Sequence, residues 1–199
     1  MSTDLTHVRN IGIAAHIDAG KTTTTERVLY YTGKTHRMGE VDEGTTTTDF
    51  DEEEISRKHT LSASIAYAEW NKTKINLIDT PGFANFFSDA RAALRVVDGV
   101  LLAVDAVTGP EVQTEKMWEE AEAQELPRIV VLTRTDRERP SLDRTLEALQ
   151  TSFGRTIIPI QLPIGEEKHF KGVVDLVAMK AYTFATDGSG KMTEGVVPP

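Results

Sequence analysis

Residues 15–22 read AHIDAGKT and lie between a run of β-branched and small residues, Val8–Ala15, and a helical pattern, Thr22–Tyr31, closed by Gly33. A Gly-Lys-Thr at a strand-to-helix junction restricts the fold more than any other feature of this chain. The backbone N–H groups of such a loop converge on one point, and the first helical turn adds positive potential there, so the loop suits a phosphate. The run His16, Ile17, Asp18, Ala19, Gly20, Lys21, Thr22 and Thr23 would wrap a β-phosphate. Lys21 would reach the β- and γ-phosphates, and the Thr22 hydroxyl would face Mg²⁺. Where such a loop normally opens with glycine, this chain has Ala15. The alternative is a plain connection that contains Gly-Lys-Thr by chance, and the flanking strand and helix argue against it.

The other elements fit one plan. Leu61–Trp70 alternates at period two and Lys74–Asp79 follows it, which predicts adjacent strands. Val100–Asp105 and Ile129–Leu132 are compact apolar runs suited to buried parallel strands, and Glu111–Glu125 between them is helical. Leu142, Leu146, Leu149 and Phe153 make one apolar helix face, with Ser141 as N-cap and Gly154 as the stop. This order predicts an α/β fold, a mostly parallel sheet with helices on both faces. After Gly154 the pattern changes. Thr156–Gln161 reads as a strand, Phe170–Phe184 as strands around a short turn or helix, and Thr186–Pro199 as a loop.

A second phosphate signal follows the strand ending at Ile78, in Asp79-Thr80-Pro81-Gly82. An aspartate at the end of a buried strand beside a phosphate loop can hold Mg²⁺ through water. Gly82 lets its N–H approach a γ-phosphate with no side chain in the way. Thr60, ending the loop before the second strand, is the candidate to close over Mg²⁺ and the γ-phosphate. Lys21, Thr60 and Gly82 are therefore the expected catalytic groups, and Thr22, Thr60 and Asp79 the expected metal ligands.

Charge excludes several classes. The chain carries 22 Lys+Arg against 31 Asp+Glu. Eight of the acidic residues fall between Glu40 and Glu54, where there is no Lys or Arg, and the remaining 23 nearly balance the 22 cations. A near-neutral frame gives no field for non-specific nucleic-acid binding, so no direct nucleic-acid readout is expected. Zero cysteines exclude disulfides and thiolate metal sites, in keeping with a cytoplasmic chain. No apolar run is long enough to span a membrane, and the polar N-terminus has no signal-peptide core. With few apolar anchors and a charge like that of its ligand, the 40–54 segment is expected to be displaced or disordered unless Mg²⁺ and nucleotide hold it.

The residues also carry a family resemblance. Asn10–Gly33 (NIGIAAHIDAGKTTTTERVLYYTG), Gly39–Gly44, Asp79–Gly82, Gln161–Gly165 and Met179–Tyr182 resemble, in order, the GTP-binding domain of elongation factor G, the ribosomal translocase family. The resemblance implies a phosphate-loop G domain that binds GTP or GDP with Mg²⁺. It places Asp18 near the phosphates through a monovalent cation, the first switch at about Thr35–Thr60 and the second at about Asp79–Arg91. It implies residues 1–155 as the G-domain core, lacking its last strand and helix, and 156–199 as the start of an inserted α+β subdomain. The chain would then be the N-terminal piece of a longer, monomeric translation factor that meets the ribosome.

Two motifs depart from the family pattern. Phe83 occupies the place of the histidine that positions the attacking water, and Asn85 stands where aspartate is usual. A phenyl ring cannot orient water, and loss of a polar catalyst typically costs ~10²–10⁴ in rate. Either hydrolysis is slow, or a partner supplies the missing group; His16 and His59 are read as structural. The base-reading motif is Thr133-Arg134-Thr135-Asp136 in place of Asn-Lys-x-Asp. Asp136 keeps the carboxylate that accepts from guanine N1–H and its 2-amino group, and the Arg134 stem can cover the base. Thr133 is expected to lose both the base contact and the tie to the phosphate loop. The expected function is a GTP switch with hydrolysis coupled to the ribosome. The alternatives are GTP binding without useful hydrolysis, and a degenerate G fold kept for interaction.

Overall fold

A computed structural model describes residues 4–137, 141–185 and 189–198. The chain forms two compact units. One comprises the segments up to Val104 and Glu111–Thr133; the other comprises Asp105–Pro110 and the chain from Arg134 onward.

The first unit is organised by a five-stranded sheet. Its strands are β1 (Val8–Ala15), β2 (Ser64–Trp70), β3 (Thr73–Asp79), β4 (Gly99–Asp105) and β5 (Arg128–Thr133), in the order β2-β3-β1-β4-β5. β1 is parallel to both β3 and β4, and β2 is antiparallel to β3. Successive side chains of a strand face opposite ways, so β1 supplies two cores. Ile13 and partly buried Ile11 pack with Leu77, Ala68 and Leu29 of α1 (Lys21–Tyr31). Ala14 packs on the other face with Leu94 of α3 (Phe87–Leu94), Leu102, and Met117 of α4 (Val112–Ala123). Helices therefore cover both faces, as the sequence pattern predicts. The central position of β1 brings its C-terminal end, and the loop that follows, next to the ends of β3 and β4.

One element of the first unit was not expected from the sequence. The acidic segment contains a short helix, α2 (Glu52–Arg57), whose N-cap Asp51 accepts from the Glu53 N–H at 2.8 Å. Glu52, Glu53 and Glu54 lie in its first turn and Arg57 in its last, the arrangement that the helix dipole favours. A cluster read as mutually repelling charge is, in part, a helix start.

In the second unit α5 (Leu142–Phe153) begins at the predicted Ser141 cap and ends at Gly154. An antiparallel sheet follows: β6 (Gln161–Ile164), β7 (Gly172–Asp175), β8 (Lys180–Phe184) and β9 (Met192–Gly195). Two expectations are corrected here. The strand begins at Gln161 instead of Thr156, because pairing with β7 starts at Gln161↔Asp175 and residues 156–160 have no strand partner. Part of the expected C-terminal loop is β9, paired with β8 and fastened by a Lys180–Glu194 ion pair at 2.6 Å. Residues 186–188 and 199 of that expected loop lie outside the described residues.

Leu102 of β4 is fully buried beside Ala14 of β1, in the core under α3 and α4. Leu102→Ala should lower the unfolding free energy by about 2–5 kcal/mol, read as a shifted urea midpoint with an unchanged slope.

Candidate functional site

The loop between β1 and α1 is shaped by backbone conformation. Asp18 and Gly20 both have positive φ, 59° and 82°. Gly20 is the N-cap of α1 and provides no side-chain cap, so the first-turn N–H groups are not claimed by a capping side chain. A Cβ on Gly20 would lie 3.3 Å from the Thr133 side chain, in addition to the strain of its φ.

Lys21, Thr22, Thr60 and Asp79 meet where that loop, the end of β3 and the loop before β2 converge. The Lys21 ammonium is 2.8 Å from Asp79 Oδ1 and donates to Thr60 Oγ1 at 2.9 Å and Thr22 Oγ1 at 3.1 Å. Thr22 donates to Asp79 Oδ2 at 3.1 Å, and the Thr22 and Thr60 hydroxyls are 3.1 Å apart. Asp79 is fully buried. Among the described residues no group of three or more His, Asp or Glu side chains could hold a metal. Two hydroxyls and one carboxylate are, however, the hard oxygen donors that suit Mg²⁺, which keeps its other positions for water and phosphate. The donor set fits that ion.

Gly82 lies against the phosphate loop. An added Cβ would meet Ile17 N at 3.2 Å and Ala15 O at 3.3 Å, both backbone atoms, so any side chain would push the two segments apart. Phe83 follows, with its ring edge-to-face on His59 at 4.8 Å. His59 Nδ1 is 3.7 Å from Asp18 Oδ1. His16 Nε2 faces Glu111 at 3.5 Å.

The acidic segment is anchored in this site, and its anchors are polar. Thr47 donates through its N–H (2.6 Å) and hydroxyl (3.2 Å) to Glu26, a buried carboxylate of α1. Thr60 donates to Asp49 at 2.7 Å, and Thr48 to Asp79 at 3.4 Å. Arg27 pairs with Glu40 at 2.9 Å. Burial pushes the Asp49 carboxyl above the ordinary aspartate range, with the Thr60 hydrogen bond and the Lys21 charge opposing it. Glu26, Thr47, Thr48 and Asp49 were missed in the sequence. The threonine run 45–48 was the available signal, since hydroxyls can bridge carboxylates that would otherwise repel.

Thr133, at the end of β5, requires a correction. Its hydroxyl donates to the Ala19 carbonyl at 2.8 Å and lies 3.2 Å from Val104 O. The tie to the phosphate loop survives the loss of the amide, because the short side chain is already within reach of the loop carbonyl. In the second unit Arg134, at φ 55°, donates to Asp105 at 2.6 Å. Burial would raise the Asp105 pKa, but the Val107 N–H, the Arg134 hydrogen bond and its charge outweigh that and hold the carboxyl below the ordinary range. Asp136 is exposed.

The sequence family described as the elongation factor Tu GTP-binding domain matches residues 6–196. The chain belongs to that family. It is 48% identical over 187 residues to elongation factor G of Thermotoga neapolitana and 47% identical to that of Thermotoga maritima. Each alignment covers 94% of this chain and 27% of the relative. A solved protein from Thermus thermophilus superposes with a TM-score of 0.89 at 37% identity, over 97% of this chain and 28% of that one. The chain thus spans about a quarter of the length of these relatives and corresponds to their G domain.

Thr133→Val keeps the side-chain shape and removes the donor to Ala19. A hydrogen bond worth about 1 kcal/mol predicts roughly five- to tenfold weaker guanine-nucleotide binding by calorimetry and faster amide exchange in residues 19–21.

Proposed function

We propose that this chain is the guanine-nucleotide-binding G domain of a translation factor resembling elongation factor G, and that it binds GTP and hydrolyses it in response to the ribosome. The observation that carries this reading is the buried cluster of Lys21, Thr22, Thr60 and Asp79. It joins the phosphate loop to both segments that would sense a γ-phosphate. The backbone N–H groups of residues 16–23 would bind the β-phosphate, and Lys21 would bridge the β- and γ-phosphates. Thr22, Thr60 and Asp79 would hold Mg²⁺, which neutralises charge on the phosphate oxygens. Gly82 would present its N–H to the γ-phosphate. Asp136 would accept from guanine N1–H and the 2-amino group, with the Arg134 stem over the base. Residues 1–155 would form the G-domain core and 156–199 the opening of an inserted subdomain.

Thr60 gives the switch its logic. It is the only side chain of the loop before β2, among the described residues, seen to bond the phosphate-loop lysine. When a γ-phosphate is present Thr60 is held; when it leaves, that loop loses one anchor. A second reading, GTP occupancy without useful hydrolysis, is favoured by one observation: Phe83 at the position of the water-orienting histidine. No helix among the described residues is long and apolar enough to cross a membrane.

Titration calorimetry with GTP, GDP and ATP tests the reading. Guanine nucleotides should bind at micromolar or tighter affinity and ATP at least 100-fold more weakly. Lys21→Ala should abolish binding. Asp136→Asn should weaken guanine binding at least tenfold, because charge-assisted bonds to the base are worth roughly 1.5–3 kcal/mol each. Equal affinity for GTP and ATP would refute guanine recognition.

A further inference from the structure

His59 directly precedes Thr60 in the loop before β2. It follows α2 and its left-handed C-cap, Lys58, and its N–H donates to the Glu54 carbonyl at 3.2 Å. The buried Glu54 carboxylate accepts from the N–H groups of Leu61 (2.9 Å) and Ser62 (3.1 Å), so one residue fixes the backbone on both sides of Thr60. Thr60 is in turn bonded to Lys21. The imidazole is thus carried on a rigid support beside the γ-phosphate-sensing threonine.

Its side chain is oriented by two neighbours. Phe83 packs edge-to-face on the ring, with an interplanar angle of 81°, and Phe86 packs on Phe83 in the same manner. Asp18 of the phosphate loop faces Nδ1 at 3.7 Å. Asp18 lies on the Nδ1 side of the ring, so Nε2 is the nitrogen turned away from that carboxylate. His59, Phe83, Arg57, Leu61, Asn85 and Phe86 line an open cleft of about 420 Å³, large enough for water.

We propose that His59 is the residue that orients the attacking water, in the place of the histidine that Phe83 replaces; this rests on the reading of the site as a GTPase. The two positions have exchanged roles. Phe83 is an apolar wall that sets the ring, and His59 supplies the acceptor from the loop before β2. The water oxygen forms a bond to the γ-phosphorus as the bond to the bridging oxygen breaks. GDP leaves with that electron pair, and the protons of the water pass to the released phosphate and solvent. His59 accepts a hydrogen bond from the water and ends the reaction unchanged. Asp18 acts through His59 as a positioning residue.

The test is single-turnover GTP hydrolysis by the full-length protein with ribosomes, alongside GTP affinity by calorimetry. His59→Phe keeps a ring against Phe83 and removes the acceptor. It should slow hydrolysis by ~10²-fold or more while affinity changes by less than about threefold. His59→Gln, which retains an acceptor, should recover part of that loss. Adding Phe83→His to His59→Phe should restore hydrolysis to within about tenfold of wild type, a rescue that a packing role for His59 cannot give. The proposal is overturned if His59→Phe hydrolyses GTP within about threefold of wild type, or if wild type binds GTP tightly and does not hydrolyse it. The first result leaves the GTPase reading intact, the second removes hydrolysis from it and keeps GTP binding, and failure of wild type to bind GTP removes that reading and this one together.

Discussion

The ion pair between Lys21 and Asp79 governs the site. Both groups are removed from water, and a buried charge is tolerated only when it is paired and hydrogen-bonded. That requirement explains the hydroxyls around it: Thr22, Thr25, Thr48 and Thr60 each have an oxygen within 3.5 Å of the lysine or the aspartate. The parallel pairing of β1 with β3 ends both strands on the same side of the sheet, which brings residue 21 and residue 79 together. Removing either charge would leave the other buried without a partner, typically a loss of about 3–5 kcal/mol. A magnesium–triphosphate ligand carries the same two complementary charges, so the cluster can exchange its internal partners for external ones without stranding a charge.

The acidic segment between Glu40 and Glu54 is controlled by the same chemistry. Like charges in this segment still repel in place, and donors offset that cost at the buried carboxylates. Glu26 takes Thr47, Asp49 takes Thr60, and Glu54 takes the backbone at Leu61 and Ser62. The segment thereby fixes Thr60, and with it His59, relative to the phosphate loop. The excess of negative charge in the chain is thus concentrated in the part that would respond to the ligand.

How much of this was legible in the sequence follows from whether each feature is local or emergent. The phosphate loop, Asp79 and α5 were readable because spacing and capping residues define them locally: Gly20 and Lys21 by the strand-to-helix junction, α5 by Ser141 and Gly154. The helix α2 was missed because its defining cap, Asp51, sits in a run of carboxylates that reads as charge. The strand β9 was missed because Gly and Ser surround it, and its identity comes from pairing with β8. The Thr133 tie was misjudged because comparing residue types ignores reach: a hydroxyl 2.8 Å from the Ala19 carbonyl can substitute for an amide there. The His59–Phe83 contact joins two segments far apart in sequence, and no local pattern reports it.

The most direct measurement is amide hydrogen exchange over residues 40–62 in the presence of Mg–GTP and of Mg–GDP. If Thr60 couples that segment to the γ-phosphate through Lys21 and the metal ligands, protection at Thr60, Leu61 and Ser62 should be markedly higher with GTP than with GDP. The Leu102 core, which has no such link, should exchange equally slowly in both. Identical protection of residues 60–62 in the two nucleotide states would contradict a γ-phosphate-gated switch.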